Sequence, residues 1–291
     1  MIVSAITGGL GNQLFQYAAA RALSIRLASP IKLETTWYQH SPDRKYHLDL
    51  FRIHATVAST FEERYFALLK SRKVIKGFEM ARNAGIPVGF TALVDKHQGF
   101  DERVLTVKGN VYMNGHWQSE RYFCSISQLI RDELTLITEP DAVNRVMIEK
   151  MDSCEAVVLH VRRGDYVKNT STNAYHGVCG LDYYEKAIDK LLLQVNVPHF
   201  FIFSDDPEWT SENLKLPYVS TYVTHNTGKQ DYEDLRLMSR GKHFIVANSS
   251  FSWWGAWLSN NPTKNVIAPK QWFKSTAFSG KDLAPDAWTL I

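Results

Sequence analysis

The chain has 291 residues, 45% of them hydrophobic and 22% charged, with 33 basic against 30 acidic side chains and a net charge of +3. That composition suits a globular protein of two ordinary domains with a packed core, and it excludes a disordered chain. The weak, dispersed positive charge, in which no lysine or arginine run exceeds a pair, does not argue for nucleic acid.

The opening Ile2–Ile6 predicts a strand, Thr7–Gly11 a tight glycine turn, and 12–28 a helix with apolar residues at Leu14, Phe15, Ala18, Ala19, Ala22, Leu23 and Leu27, capped by Asn12. Ile31–Thr35 predicts a second strand, so the chain begins as a βαβ unit. Residues 40–110 are weaker, with helical spacing over Phe61–Val74 and a strand at Val111–Met113. Ser119 is placed to cap a helix running to about Leu136. From 155 the alternation is regular. Strands at 156–161, 199–203, 218–223, 243–247 and 264–268 alternate with helices at 182–195, after Pro207, at 230–240 and at 250–260. Gly241 is expected to close the 230–240 helix in a left-handed cap. The pattern predicts an α/β chain with a doubly wound, mostly parallel sheet, whose ligands sit outside the carboxyl ends of the strands. A boundary near 150 gives two halves, 1–150 and 151–291.

Three segments fall at predicted strand ends. Gly8-Gly-Leu-Gly-Asn-Gln13 would let backbone approach a ligand beside a helix N-terminus, or simply reverse the chain. It lacks the third glycine of a dinucleotide fingerprint, and Glu34 is the nearest acid for a ribose. His160-Val-Arg-Arg-Gly-Asp165 ends an apolar strand with paired guanidiniums, which hold phosphate in a planar fork or form surface ion pairs. Alternation puts His160 and Arg162 on one face, with Arg163 turned to Asp165 or another acid. In Ala247-Asn-Ser-Ser-Phe-Ser-Trp-Trp-Gly255, Ser249 or Ser250 caps a helix whose N-terminus suits an anion. Trp253, Trp254 and Trp257 read as core rather than as a sugar-stacking platform. Asp206 before Pro207 reads as a cap, with Asp205 open. Glu233 and Asp234 either accept hydrogen bonds from a guanine edge or solvate a helix face.

Cys124, Cys154 and Cys179 are odd in number and lack metal-ligand spacing, and the ten histidines form no HExxH pair. Neither a disulfide framework nor a zinc site is expected, and a reducing compartment is. No apolar run reaches the roughly 18 residues of a membrane helix. With no basic residue before Arg21, no secretory leader is read and a cytoplasmic location is expected.

Together these segments resemble the inverting fucosyltransferases that use GDP-fucose, and most closely the bacterial α-1,2-fucosyltransferases of glycosyltransferase family 11. The resemblance spans nearly the whole chain, through Gly8-Gly-Leu-Gly-Asn-Gln-Leu-Phe-Gln-Tyr17, Gly115-His-Trp-Gln-Ser-Glu-Arg-Tyr-Phe123, His160-Val-Arg-Arg-Gly-Asp-Tyr166, Phe203-Ser-Asp-Asp206 and Asn248-Ser-Ser-Phe-Ser-Trp-Trp-Gly-Ala-Trp257. It implies a GT-B fold, two Rossmann-like domains facing a cleft. The first would be the acceptor side and the second would bind GDP-fucose. It also implies that Arg162 holds the β-phosphate with His160 beside the nucleotide. Asp234 would bind guanine, Asn248, Ser249, Ser250 and Phe251 would lie along pyrophosphate and ribose, and Gly11 and Asn12 would approach from the first domain. The implied reaction is metal-independent transfer of L-fucose to the 2-hydroxyl of a terminal galactose in an O-antigen or related glycan. Arg162 is expected to stabilise the leaving group, and Asp165 and His176, by their position after the arginines, are candidates for the base, although Asp165 serves equally as a partner of Arg163. Two alternatives are α-1,6-fucosyl transfer to a glucosamine-type acceptor, which shares the arginine segment, and a non-catalytic nucleotide-sugar or glycan-binding protein. A lipid-linked acceptor would bring the chain to the inner membrane face as a peripheral protein, but no amphipathic anchor stands out in the sequence.

Overall fold

The computed structural model describes all residues except 42, 85, 87, 96–98, 165–176, 229, 275–279 and 281. The chain divides into two compact units, Met1–Ile137 with Lys281–Leu283, and Thr138–Gly280 with Ala284–Ile291. The division precedes the expected boundary at 150. Helix Ala142–Asp152, capped by the Asp141 carboxylate on the Asn144 N–H at 2.8 Å, packs on elements of the second sheet and folds with that unit.

Among the described residues, the first unit holds β1 (Ile2–Ala5), β2 (Ile31–Glu34), β3 (Thr56–Val57), β4 (Thr91–Val94) and β5 (Val111–Asn114), in the order β3-β2-β1-β5-β4. All pairings are parallel, which requires a crossover between neighbours. The first crossover is helix Leu10–Leu27. Its cap is Gly9, so Asn12 is not; Asn12 Oδ1 instead accepts from Gln118 Nε2 at 2.8 Å. Gly8 sits at φ +78°, where an added Cβ would also strike Asn12 Nδ2 at 2.8 Å. Helix Thr60–Leu69 opens with a capping box between Ser59 and Glu62 and buries Phe66 and Leu69 against Val3, Ala5 and Tyr112. The expected helix over Phe61–Val74 is two helices, broken at Lys70, whose ammonium meets buried Glu34 at 2.8 Å, and resumed as Arg72–Asn83. The expected helix after Ser119 is two short 3₁₀ turns and helix Ser127–Glu133, with Ser119 capping the first turn.

The second unit holds β6 (Glu155–Val161), β7 (Pro198–Ser204), β8 (Ser220–Val223), β9 (His243–Ile245), β10 (Val266–Ala268) and β11 (Thr289–Leu290), in the order β11-β10-β9-β6-β7-β8, again all parallel. Val157, Leu159 and Val161 of β6 form a core with Phe200, Ile202, Ile245 and Ile267, closed by Tyr184, Ala187, Ile188 and Leu191 of helix Leu181–Leu192. Gly241 is not a left-handed cap. It is held small because a Cβ would stand 2.6 Å from Val158 Cγ2 and 2.8 Å from the Phe244 ring. Trp253 and Trp254 are fully buried and Trp257 nearly so, as expected of core residues. These two parallel α/β units match the expected pair of Rossmann-like halves. In the second unit the chain runs from β6 to β7 on one side and returns to β9 on the other. The carboxyl ends of β6 and β9 therefore flank the crevice where ligands bind in such sheets.

Candidate active site

The carboxyl end of β6 delivers His160 at 4% exposure, its ring 6.1 Å from that of Phe251. Tyr184 Oη donates to the His160 carbonyl at 3.2 Å and fixes the strand end. Burial drives the imidazole pKa down to about 4; Asp205 opposes the shift and Arg162 adds to it. His160 is therefore neutral at working pH. Its buried Nδ1 has no partner among the described residues, so the site holds a polar atom that a ligand could satisfy.

Arg162 and Arg163 do different jobs. In the parallel register His160 stands opposite Phe203 and Val161 opposite Ser204, so the residues just beyond, Arg162 and Asp205, also meet. Arg162 Nη1 lies 3.0 Å from Asp205 Oδ2, with the arginine side chain 20% exposed, while Asp205 Oδ1 accepts the Arg163 backbone N–H at 2.8 Å. Asp205 thus steadies both arginines. Arg163 lays its guanidinium over the Trp209 ring at 3.4 Å and directs Nε to Asp206 at 3.5 Å. Asp206 holds the cap position of helix Pro207–Asn213 but makes no side-chain cap, because its carboxylate faces Arg163.

The carboxyl end of β9 runs into helix Ser250–Leu258. Ser249 is its cap, accepting the Phe251 N–H at 3.3 Å. Asn248 is buried, its amide donating to the carbonyls of Gly177 and Trp272 at 3.3 Å each, so it ties the strand end to two loops. The result is the positive end of a helix, with Ser249, Ser250 and Phe251 in its first turn, on the strand adjacent to Arg162.

Asp234 lies in helix Asp231–Met238, which packs on helix Ser250–Leu258; Gly255 lies so close to Met238 that an added Cβ would stand 2.7 Å from Met238 Cβ. Both helices follow a parallel strand, so both N-termini lie on the carboxyl side of the sheet. Burial, aided by Asp231 and Glu233, raises the Asp234 pKa to about 7 against the lowering effect of Asn226. The Asn226 amide donates to Asp234 Oδ1 at 2.9 Å and to Asn144 Oδ1 at 3.0 Å, and fully buried Asn144 donates back to Asn226 at 2.9 Å. Glu233 is instead paired with Arg236 at 2.8 Å.

The structure therefore brings His160, Arg162, Ser249, Ser250 and Phe251 to two adjacent strand ends, with Asp234 on the flanking helix. Gly11 and Asn12 belong to the first unit, Gly11 buried in the first turn of helix Leu10–Leu27 beyond β1. Glu34 is not available to a ribose: it is buried and engaged by Lys70 and by the Thr36 N–H at 3.0 Å. Asp165 and His176 lie outside the described residues. Among the described residues no cluster of three or more His, Cys, Asp or Glu could hold a metal ion. Asp205, Trp209, Asn226 and Asn144 carry the support of the site, and sequence reading assigned none of them that role. Only the β6–β7 register and the approach of helix Ala142–Asp152 reveal them.

Residues 89–291 match the profile of glycosyl transferase family 11. The α-1,2-colitosyltransferase of Escherichia coli is 33% identical, over 100% of this chain and 99% of that protein. The O-antigen biosynthesis glycosyltransferase WbnK of Escherichia coli is 30% identical over 98% of each. Among solved structures, a variant of Arabidopsis thaliana FUT1 in complex with GDP aligns over 98% of this chain and 74% of its own, at TM-score 0.56 and 12% identity.

Proposed function

The chain belongs to glycosyl transferase family 11, and from that premise we propose that it transfers L-fucose from GDP-β-L-fucose to the 2-hydroxyl of a terminal galactose, with inversion to an α-1,2-fucoside. The observation that carries this reading is the meeting of Arg162 with the N-terminus of helix Ser250–Leu258 at the ends of adjacent strands β6 and β9. As the glycosidic bond breaks, negative charge grows on the departing β-phosphate. A fixed guanidinium and a helix N-terminus already aimed at that position stabilise the charge without reorganising. Neutral His160 offers its unpartnered Nδ1 to the same ligand without adding charge. Asp165 and His176, which follow the arginines in the sequence, are the bases proposed to take the acceptor proton. The test is GDP release from GDP-fucose with a panel of galactose-terminated oligosaccharides, followed by NMR of the product. A 1→6 linkage, or GDP binding without release, would refute it. Transfer of colitose in place of fucose is a second reading, favoured by the full-length similarity to a colitosyltransferase. Parallel assays with the two donors separate them.

Two further outcomes are expected. Because Arg162 and the helix terminus carry the diphosphate, millimolar EDTA should leave the initial rate unchanged; its loss, restored by magnesium, would refute the metal-independent mechanism. Asp234 must be ionised to accept two N–H bonds from guanine, and its pKa is about 7. It is protonated below that value, so the donor KM should rise about tenfold per pH unit as pH falls through 7. Asp234→Asn should raise KM and flatten the profile. Asn226→Ala, which removes a hydrogen bond to the carboxylate, should move the break to higher pH. A donor KM flat from about pH 6 to 8 in the parent enzyme would remove Asp234 from guanine recognition.

A further inference from the structure

Helix Thr60–Leu69 is apolar on both sides. Phe66 and Leu69 are buried in the core of the first unit, while Phe61, Tyr65 and Leu68 stand 83%, 42% and 57% exposed. Their spacing, i, i+4 and i+7, puts all three on one outer face. Apolar side chains that already fill one face of a helix do not require a second apolar face, yet this helix exposes one beside the charged Glu62, Glu63 and Arg64. Its neighbour, Arg72–Asn83, turns Phe78 toward the core and leaves Met80 73% exposed. Val57 on edge strand β3 and Ile86 beyond the second helix are exposed as well. Six of the sixteen exposed large hydrophobics among the described residues thus fall within 57–86, a concentration that isolated surface hydrophobics do not show.

The same stretch carries an excess of positive charge. Residues 60–83 contain six basic side chains against three acidic ones, an excess equal to the +3 of the whole chain. Arg64, Lys73 and Lys76 are exposed, whereas Glu62 is held by Lys32 at 3.1 Å.

We propose that helices Thr60–Leu69 and Arg72–Asn83 dock this protein on an anionic lipid surface, with Phe61, Leu68 and Met80 entering the headgroup boundary and Arg64, Lys73 and Lys76 meeting lipid phosphates. Apolar burial and electrostatic attraction together supply the two contributions that stable peripheral binding needs. A second copy of the chain would bring like charges together. A protein partner would more commonly meet a face depleted in lysine. None of these residues is among those assigned to the donor, so docking concerns where the enzyme works and not its chemistry.

The test is cosedimentation of the full-length protein with vesicles of phosphatidylcholine containing about 30% phosphatidylglycerol, compared with phosphatidylcholine alone. The expected result is binding to the anionic vesicles that is at least about tenfold stronger and is lost at ~0.5 M salt. Phe61→Ser with Leu68→Ser, and separately Lys73→Glu with Lys76→Glu, should each reduce binding by about tenfold or more. Both variants should keep the parent Tm and the parent kcat/KM on a soluble acceptor, which separates lost docking from lost folding. Equal binding to both vesicle types, no binding to either, or parent-like binding by both variants would overturn the proposal. So would a concentration-dependent dimer that Phe61→Ser dissolves.

Discussion

Replacing Arg162 with alanine is expected to lower kcat/KM for fucosyl transfer on the order of 10³-fold, the scale of removing a preorganised donor from a developing anion. The argument runs from the register upward. β6 and β7 pair in parallel, Asp205 comes opposite Arg162, and their contact at 3.0 Å holds the guanidinium while the side chain stays 20% exposed. Arg162→Lys should recover little, because an ammonium keeps the charge but loses the planar fork. Asp205→Asn is the companion experiment. It releases Arg162 without deleting it, so it should cost less than Arg162→Ala and raise kcat loss and KM together. A folded Arg162→Lys enzyme with near-parent turnover would sink the assignment.

The second large effect concerns stability. Glu133 is 4% exposed and lies under helix Leu10–Leu27, accepting from Arg21 Nη2 at 2.8 Å and from the hydroxyl of fully buried Tyr17. Tyr17 Oη in turn accepts the His54 N–H at 2.9 Å, and burial raises its pKa far above the usual phenol range. Glu133→Ala leaves a guanidinium and a phenol without their acceptor, a change of about 3–5 kcal/mol. Thermal unfolding should show a loss of roughly 10 °C in the transition of the first unit. Glu133→Gln with Arg21→Met removes both charges and should recover part of that loss. A Glu133→Ala protein with the parent Tm would show that the cluster contributes nothing net.

Much of this was legible locally. Short segments rich in apolar residues, alternating with charged ones in β2, mark β1, β2, β6, β7 and β9. The motifs ending at Arg162 and Ser250 read directly as places for an anion. The elements that sequence reading missed are short or lie at edges. β3 and β11 are two-residue strands with little buried area, and β4 is only partly buried. The exposed apolar stripe of helix Thr60–Leu69 escaped for another reason: helical spacing was legible there, but which of two apolar faces stays outside is decided by packing alone. The capping expectations failed for different reasons: helix Leu10–Leu27 starts two residues before Asn12, and the Asp206 carboxylate faces Arg163.

Chain order alone determined that this protein is α/β, that its strands run parallel, and that its charged motifs fall at strand ends, because all three follow from local periodicity and from the length of the crossovers. Only the tertiary structure decided which strand ends are neighbours and which carboxylate steadies which arginine. It also decided that Asp234 is buried enough to titrate near neutrality. Register, burial and electrostatic field are properties of contacts between residues far apart in the chain, and no local pattern contains them.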